Sequence, residues 1–463
     1  MQQLGALPKK LLENGFLSGI VIVSFWLLST WPGYMNPDSA LHWEEALTGR
    51  YPNWHPSTYS LLVKLSQLVV SNSVAPLVIF QAVITLSSIC FLVTTVAKSA
   101  IAQNLVVVAT LVWPQTGFML SLVGKDGLFA AAFMVILGSV IRAIQRGSIS
   151  RSDSVLLFTS TLALTVLRWN GPLAVTWILG CIIVFRPQTT RKMTLILLCA
   201  LLLGTFWLIN PLPSDNSGAR DLRRGGKALD IAWSIRTDRN SFNTQDLMIL
   251  NQIAPLEAWS NSQANCDNFN LPLLYDVFAE NESYARALSA SEKDVDRIWR
   301  NRIVKHPLNF VSGRLCKVKG FVIPAREWWP TYESTSQETM KKFFGNNAVP
   351  IFDQGLLDRT GSLFNSWGGS SLGLALSMPI VWYCLSGVLL LIVRCERRHA
   401  SKYLVLSIAV PVSVFIAGVG VEPRYLWPAT STVAIFTLGA GADFFLVKVR
   451  KFFRHQGARS NSN

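Results

Sequence analysis

Charged residues are scarce in this 463-residue sequence, at 15% of the total. The sequence also lacks a Gly-rich nucleotide loop, a Walker motif and any pattern of Ser or Cys typical of a catalytic nucleophile. Its seven cysteines do not have the spacing of metal ligands, and no internal repeat is present. These absences argue against a soluble nucleotide-dependent enzyme, and we predict no metal-ligating residues. The sequence identifies no cofactor with certainty, and a divalent metal is compatible with it but not indicated.

Hydrophobic residues make up half of the chain, which is too apolar for an ordinary soluble domain. Crossing a bilayer takes about 20 mostly apolar residues, and runs of that kind recur outside the polar segment 211–370. We therefore predict an all-α polytopic membrane protein with about ten transmembrane helices and one extracytoplasmic soluble domain. The predicted spans are Gly15–Trp31, Ser73–Ala97, Asn104–Val123, Gly127–Ile144, Ser154–Arg168, Pro172–Phe185, Met193–Asn210, Leu372–Val393, Tyr403–Val419 and Leu426–Val447.

The net charge of +15 comes from short basic clusters between apolar runs rather than from one patch. Such clusters are typical of cytoplasmic loops under the positive-inside rule, so we do not expect nucleic acid as a partner. The resulting topology places a multi-pass protein in a bacterial inner membrane, with its active site on the extracytoplasmic side. We divide the chain into a membrane domain at 1–210, a soluble domain at 211–370, a second membrane domain at 371–447 and a basic cytoplasmic tail at 448–463. About seven spans fall in the first membrane domain and about three in the second.

Two apolar segments do not suit a crossing. Ser57–Val70 is short and interrupted by Lys64, and His306–Ala325 carries three basic residues, so both are predicted to be interfacial helices. Cys266 and Cys316 are the two cysteines of the polar segment, and they are able to form a disulfide if that segment faces an oxidising compartment.

The first outer loop, residues 32–72, contains the sequence Asn36-Pro37-Asp38-Ser39. Asn36 suits an N-cap, Pro37 suits the first helical position, and Asp38 then falls in the first turn, where the helix dipole favours an ionised carboxylate. Such a carboxylate at a membrane surface can accept a proton from an attacking hydroxyl. The alternative interpretation is that this tetrapeptide only starts a helix.

The same loop is rich in aromatic side chains. Flat ring faces suit sugar rings, and we predict that Tyr34, Trp43, Tyr51 and Trp54, together with Glu44, contact the acceptor or the sugar. The alternative is an aromatic belt at the lipid interface. His55 lies in the turn Trp54-His55-Pro56, where its ring can donate to a phosphate.

Three further corners place a cation at the end of a predicted span, at the depth of a lipid headgroup. They are Gly124-Lys125-Asp126-Gly127, Arg168-Trp169-Asn170-Gly171 and Glu422-Pro423-Arg424-Tyr425. Each cation has a simpler explanation in a local ion pair, Lys125 with Asp126 or Arg424 with Glu422, or in snorkelling to the interface. Taken together with the acidic first loop, the three corners favour a site for an anionic lipid.

This combination of motifs resembles the bacterial GT-C membrane glycosyltransferases, the class that includes protein O-mannosyltransferases and the aminoarabinose transferases of lipid A. The resemblance covers the membrane part and is weak over 211–370. It implies a GT-C-like fold and an inverting transfer of a sugar from a polyprenyl-phosphate carrier to an envelope glycan, lipid or protein. It also implies that Asp38 is the base and that Lys125, Arg168 and Arg424 lie near the lipid phosphate. Many members have a paired acidic motif, whereas here Pro37 precedes Asp38.

Other functions are compatible with the same topology. A polymerase or ligase of lipid-linked glycan would share the spans and the phosphate-binding cations. A transporter or flippase of lipid-linked sugar would also have polar residues in its membrane part, although here the ionisable residues fall at span ends. A scaffolding role is the remaining alternative.

Overall fold

The computed structural model describes residues 15–35, 37–51, 55–71, 73–185, 190–209, 217–261, 287–317, 354–392, 397–417 and 423–460. Within these residues the chain is α-helical, and the β pairing is one parallel bridge between Tyr34 and Leu122. The helices before the polar segment are α1 (Phe16–Ser29), α2 (Pro37–Thr48), α3 (Thr58–Val69), α4 (Ala75–Val96), α5 (Ala100–Val112), α6 (Pro114–Ser121), α7 (Lys125–Arg146), α8 (Arg151–Leu167), α9 (Gly171–Phe185) and α10 (Thr190–Ile209).

The rest of the chain has eleven more α-helices among the described residues, and one short 3-10 helix at Arg239–Ser241. Those of the polar segment are α11 (Ser217–Asp238), α12 (Thr244–Ile253), α13 (Leu256–Asn261), α14 (Glu292–Lys305), α15 (Pro307–Lys317) and α16 (Gln354–Gly369). The C-terminal helices are α17 (Ser371–Ser377), α18 (Pro379–Ile392), α19 (Arg397–Ser407), α20 (Ala409–Ala417) and α21 (Pro423–Ser460).

Among the described residues, four helices are long and apolar enough to cross a membrane, and two bent helix pairs raise the number to six if each pair is one span. The four lie in α4, α7, α10 and α21. Three shorter apolar helices are Phe16–Ser29, Gly171–Phe185 and Ser401–Ile416. The chain is thus an all-α protein with several membrane-spanning candidates, as predicted, while the number of ten spans stays a prediction.

Two predicted spans are each broken at a proline. The α5–α6 pair bends by 68° before Pro114, and the α17–α18 pair bends by 72° before Pro379. A residue that precedes proline is pushed out of the helical region, and Trp113 and Met378 are accordingly extended, with ψ of 120° and 125°. The first bend turns α6 towards the loop that follows α1.

The helix α7 lies at the centre of the membrane part and is the most buried of the four long candidates. It packs against α4 on one side and α8 on the other, and the C-terminal helix α21 also contacts it. Phe133 and Ile136 are completely buried in its middle. Because α7 is held on several sides, its first residues, Lys125 and Asp126, are fixed in position at one end of the bundle.

The polar segment forms its own small core of apolar side chains from α11 to α14, centred on Trp259. The helix α16, assigned from sequence to the soluble domain, packs instead on the membrane part: Phe364 is buried against Trp26, Tyr34 and Phe118. Its apolar ring is more stable in that aromatic cluster than in water.

The two segments predicted to be interfacial both contain a helix, α3 and α15, and neither is among the membrane-span candidates. Cys316, at the end of α15, is disulfide-bonded. Cys266 lies outside the described residues, so its pairing with Cys316 stays a prediction.

Candidate functional site

Backbone hydrogen bonds fasten the first loop to the junction between α6 and α7. The Tyr34 N–H donates to the Ser121 carbonyl at 2.8 Å, and the Val123 N–H donates to the Tyr34 carbonyl at 2.7 Å. The Ser39 hydroxyl, in the first turn of α2, donates to the Val123 carbonyl. These contacts set the N-terminus of α2 beside the N-terminus of α7.

As a result, Asp38 lies between two cationic or potentially cationic side chains. Its Oδ1 is 3.3 Å from Nε2 of His55, and its Oδ2 is 3.5 Å from Nζ of Lys125. The Asp38 and His55 side chains are 23% and 20% exposed, whereas Lys125 is only 4% exposed. The carboxylate is therefore reachable from outside, while the lysine contacts it from the protein interior.

A second ion pair adjoins the first. Asp126, the neighbour of Lys125, pairs with Arg168 from the loop after α8. The Arg168 guanidinium also lies 5.6 Å from the ring centroid of Phe129, within the range of a cation–π contact. Both cations thus pair with carboxylates, and the two predicted corners 125–126 and 168 meet in one site.

Behind His55 lies a buried polar cluster of His42, Glu45 and Ser60. The Ser60 hydroxyl donates to Glu45, and Nδ1 of His42 is 2.8 Å from the same hydroxyl oxygen. Since the single hydroxyl proton goes to Glu45, Nδ1 of His42 is the donor to Ser60. The ring of His42 is 5.2 Å from that of His55, centroid to centroid.

Burial determines the charge state of His42. Desolvation lowers the pKa of His42 to about 4, against the smaller opposing effect of the Glu45 carboxylate, 3.6 Å from Nδ1. Burial also raises the pKa of Tyr51, and the Glu45 charge adds to that shift. His42 is therefore neutral at physiological pH and supports His55 without competing with it for a proton.

A chain of hydrogen bonds connects the cluster of His42, Glu45 and Ser60 to α4 and to the α6–α7 junction. The Tyr59 hydroxyl, whose ring lies 5.0 Å from that of His42, donates to Oε1 of Gln81 at 3.2 Å. Nε2 of Gln81 in turn donates to the Leu122 carbonyl at 2.8 Å. The site is thus fixed to α4 as well as to the α6–α7 junction.

Three of the aromatic side chains predicted to contact sugar lie in the protein interior. Tyr34, Trp43 and Tyr51 are all buried, and Tyr34 packs on Phe118 and Phe364. Rings in that position contribute to the core and do not offer a free face for stacking on a sugar. Trp54 lies outside the described residues.

The remaining predicted residues fall into two groups. Glu44 is exposed and lies on a different face of α2 from Asp38. Arg424 is the second residue of α21; its side chain lies outside the described part of the chain, so its convergence with Lys125 and Arg168 stays a prediction.

Sequence reasoning missed His42, Ser60 and the role of Asp126 as a partner of Arg168, and it noted Glu45 as a charge of the outer loop without separating it from Glu44. Helical periodicity carried the signal for two of them. His42 and Glu45 are four and seven positions after Asp38, a spacing that places all three on one face of a helix, whereas Glu44 falls on another face.

Within the described ranges, no group of three His, Cys, Asp or Glu side chains is arranged to hold a metal ion.

Comparison with protein-family models, with curated proteins and with solved structures finds no match to this chain.

Proposed function

We propose that the protein is an inverting glycosyltransferase that moves a sugar from a polyprenyl-phosphate carrier to an extracytoplasmic acceptor. One observation carries the proposal: the accessible Asp38 carboxylate is fixed between His55 and the buried Lys125 at the end of a membrane bundle. Such an arrangement supplies a proton acceptor and phosphate-binding cations within one site, which is what transfer from a lipid phosphate requires.

Asp38 acts as the general base. Its carboxylate takes the proton from the acceptor hydroxyl while the hydroxyl oxygen forms a bond to the anomeric carbon. The bond from that carbon to the phosphate oxygen breaks, and the electron pair leaves with polyprenyl phosphate. Attack from the face opposite to the leaving group inverts the anomeric configuration.

Lys125, His55 and Arg168 act on the leaving group. Negative charge increases on the phosphate as the glycosidic bond breaks, and cations fixed in a partly water-excluded site stabilise that charge. A phosphate that arrives near Asp38 attracts the Lys125 ammonium and the His55 ring. Once the phosphate shares these hydrogen-bond donors, the Asp38 carboxylate becomes a better proton acceptor, so donor binding activates the base.

In the ion pair of Asp126 and Arg168, the carboxylate offsets the positive charge of the guanidinium. The site therefore gains a second phosphate-binding side chain without a large net positive charge. Arg168 has a planar guanidinium that can bind Asp126 and a phosphate oxygen at the same time. Asp126 is buried, and its contact with Arg168 holds the guanidinium at the N-terminus of α7, where Lys125 also lies.

Incubation of the purified protein with a panel of polyprenyl-phosphate sugars and an envelope extract tests the proposal. We expect release of polyprenyl phosphate and a product of inverted anomeric configuration with one donor of the panel. Turnover only with a long glycan on polyprenyl pyrophosphate would instead indicate a polymerase or ligase. Movement of a lipid-linked sugar across vesicles without bond cleavage would indicate a flippase, and either result would contradict the proposal.

A further inference from the structure

A groove of about 510 Å³ opens between α8 and α10, away from the site described above. Its walls are Arg151, Ser154, Val155 and Phe158 of α8 and Lys192 of α10. The four α8 residues are one helical face, since they are spaced three, four and seven positions apart. The groove thus combines two cations at its mouth with apolar side chains below them.

Neither cation is neutralised by an acidic neighbour. The acidic residue of the first turn of α8, Asp153, is buried, accepts a hydrogen bond from Ser150 and pairs with Arg146 at 3.1 Å. Among the residues that the structure describes, no carboxylate forms an ion pair with Arg151 or Lys192. Both side chains are exposed, so their charge is available to a ligand.

The apolar wall continues along α10 beneath Lys192. Leu203 and Phe206 are exposed and follow Lys192 by 11 and 14 positions, which places them on the same face of the helix. Of the four long membrane-span candidates, the one in α10 is the least buried inside the protein. From Lys192 to Phe206 this face is about 21 Å long, a length suited to an acyl chain.

The groove and the proposed catalytic site lie at opposite ends of one helix. Arg151 is the first residue of α8, and Arg168 follows its last residue. A 17-residue helix is about 25 Å long, close to the thickness of the hydrocarbon core. A ligand in the groove therefore cannot be the donor phosphate that Arg168 contacts.

We infer that this groove binds an anionic phospholipid of the bilayer. Arg151 and Lys192 hold the negatively charged headgroup, and the acyl chains lie on Val155, Phe158 and the exposed face of α10. Two cations on different helices favour a headgroup with net negative charge, because a zwitterionic headgroup brings its own cation into the same space. The bound lipid bridges α8 and α10 at the edge of the membrane opposite to Asp38. This inference does not depend on the proposed activity.

Native mass spectrometry of the full-length protein in detergent tests the inference, with titration of phosphatidylglycerol and, separately, phosphatidylcholine. Lys192→Gln and Arg191→Gln form a matched pair, because both remove one exposed charge from the same turn and Arg191 does not line the groove. We expect Lys192→Gln and Arg151→Gln each to weaken phosphatidylglycerol binding about fivefold, the effect of one basic residue at an anionic surface. The double variant should lose about 25-fold, and Arg191→Gln should stay near the wild type.

Three outcomes would overturn the inference. One is equal binding of phosphatidylglycerol and phosphatidylcholine. Another is an equal loss in Lys192→Gln and Arg191→Gln, which would indicate attraction by surface charge without a defined site. The third is displacement of the bound phosphatidylglycerol by inorganic phosphate alone, which would indicate a phosphate site that does not use the apolar wall.

Discussion

Nζ of Lys125 lies 3.5 Å from Oδ2 of Asp38, although the two residues are 87 positions apart in the sequence. One begins α7, the most buried long helix, and the other lies in the first turn of α2. The contact exists because the backbone bridge between Tyr34 and Leu122 brings the two helix starts together. It joins the predicted base and a predicted phosphate-binding cation in one site.

Replacement of Lys125 tests its role toward the donor. In Lys125→Gln we expect kcat/KM for the polyprenyl-phosphate sugar to fall by about one to two powers of ten, the value of one charge-assisted contact. Steady-state kinetics at varied donor concentration measures this. Lys64→Gln is the control, because Lys64 is exposed on α3 in the same loop. An equal loss in both variants would contradict the assignment.

The Asp126–Arg168 pair predicts a double-mutant effect on stability. Arg168→Gln leaves the buried Asp126 carboxylate without this partner, and loss of one member of a buried pair costs about 3 to 5 kcal/mol. Asp126→Asn combined with Arg168→Gln should recover much of the loss, since no uncompensated carboxylate remains. Thermal unfolding of the purified variants measures the cycle. Donor turnover should stay low in the double variant, because Arg168 is still absent. If turnover recovered along with stability, Arg168 would act only through folding.

His42 predicts a component of acid sensitivity. Its pKa is about 4 in the folded protein, below the ordinary value of 6.5, so between these values the unfolded chain binds more protons. The stability that results is present above about pH 6.5 and is lost as the pH falls towards 4, with a magnitude of about 3 kcal/mol. Melting temperatures from pH 4.5 to 7.5 should fall less steeply for His42→Asn than for the wild type. His306→Asn, at a partly exposed site, should follow the wild type; if His42→Asn did so too, the burial argument would be wrong.

The topology predicts opposite labelling of two exposed positions. In a background without native cysteines, Thr48→Cys at the end of α2 should react with a membrane-impermeant maleimide from outside the cell. Ser152→Cys at the start of α8 should react only after the membrane is opened. Reaction of both positions from the same side would contradict the separation of the two ends of α8.

Apolar runs, together with the residues that start or break helices, predicted much of the helical structure from the sequence. The pattern Asn-Pro-Asp placed the start of α2 at Pro37, where the structure has it. Pro114 and Pro379 could also have indicated the two helix breaks, because proline removes a backbone hydrogen-bond donor. The apolar runs continue across both prolines, so each run was predicted as a single span.

The composition of the site was harder to predict, since burial depends on tertiary packing. Glu44 and Glu45 are adjacent and chemically alike, yet Glu45 is buried against Ser60 and Glu44 is exposed. Trp43 was expected to contact sugar because it is aromatic, whereas it packs in the core. Contacts such as Asp126 with Arg168 join distant segments, and no local pattern specifies them.

Sugar transfer by Asp38→Asn measures the central claim most directly. Asparagine keeps the size of the side chain, its suitability near a helix N-terminus and an oxygen that can accept a hydrogen bond from Lys125, so the variant should still fold and insert, although loss of the charge opposite the buried Lys125 lowers its stability. The amide cannot accept the hydroxyl proton. We therefore expect the rate of transfer from the polyprenyl-phosphate sugar to fall by about 10²- to 10⁴-fold, the usual contribution of a general base. Glu44→Gln, an exposed carboxylate on the same helix, should retain near-normal transfer. Near-normal transfer by Asp38→Asn would contradict the assignment of Asp38 as the base.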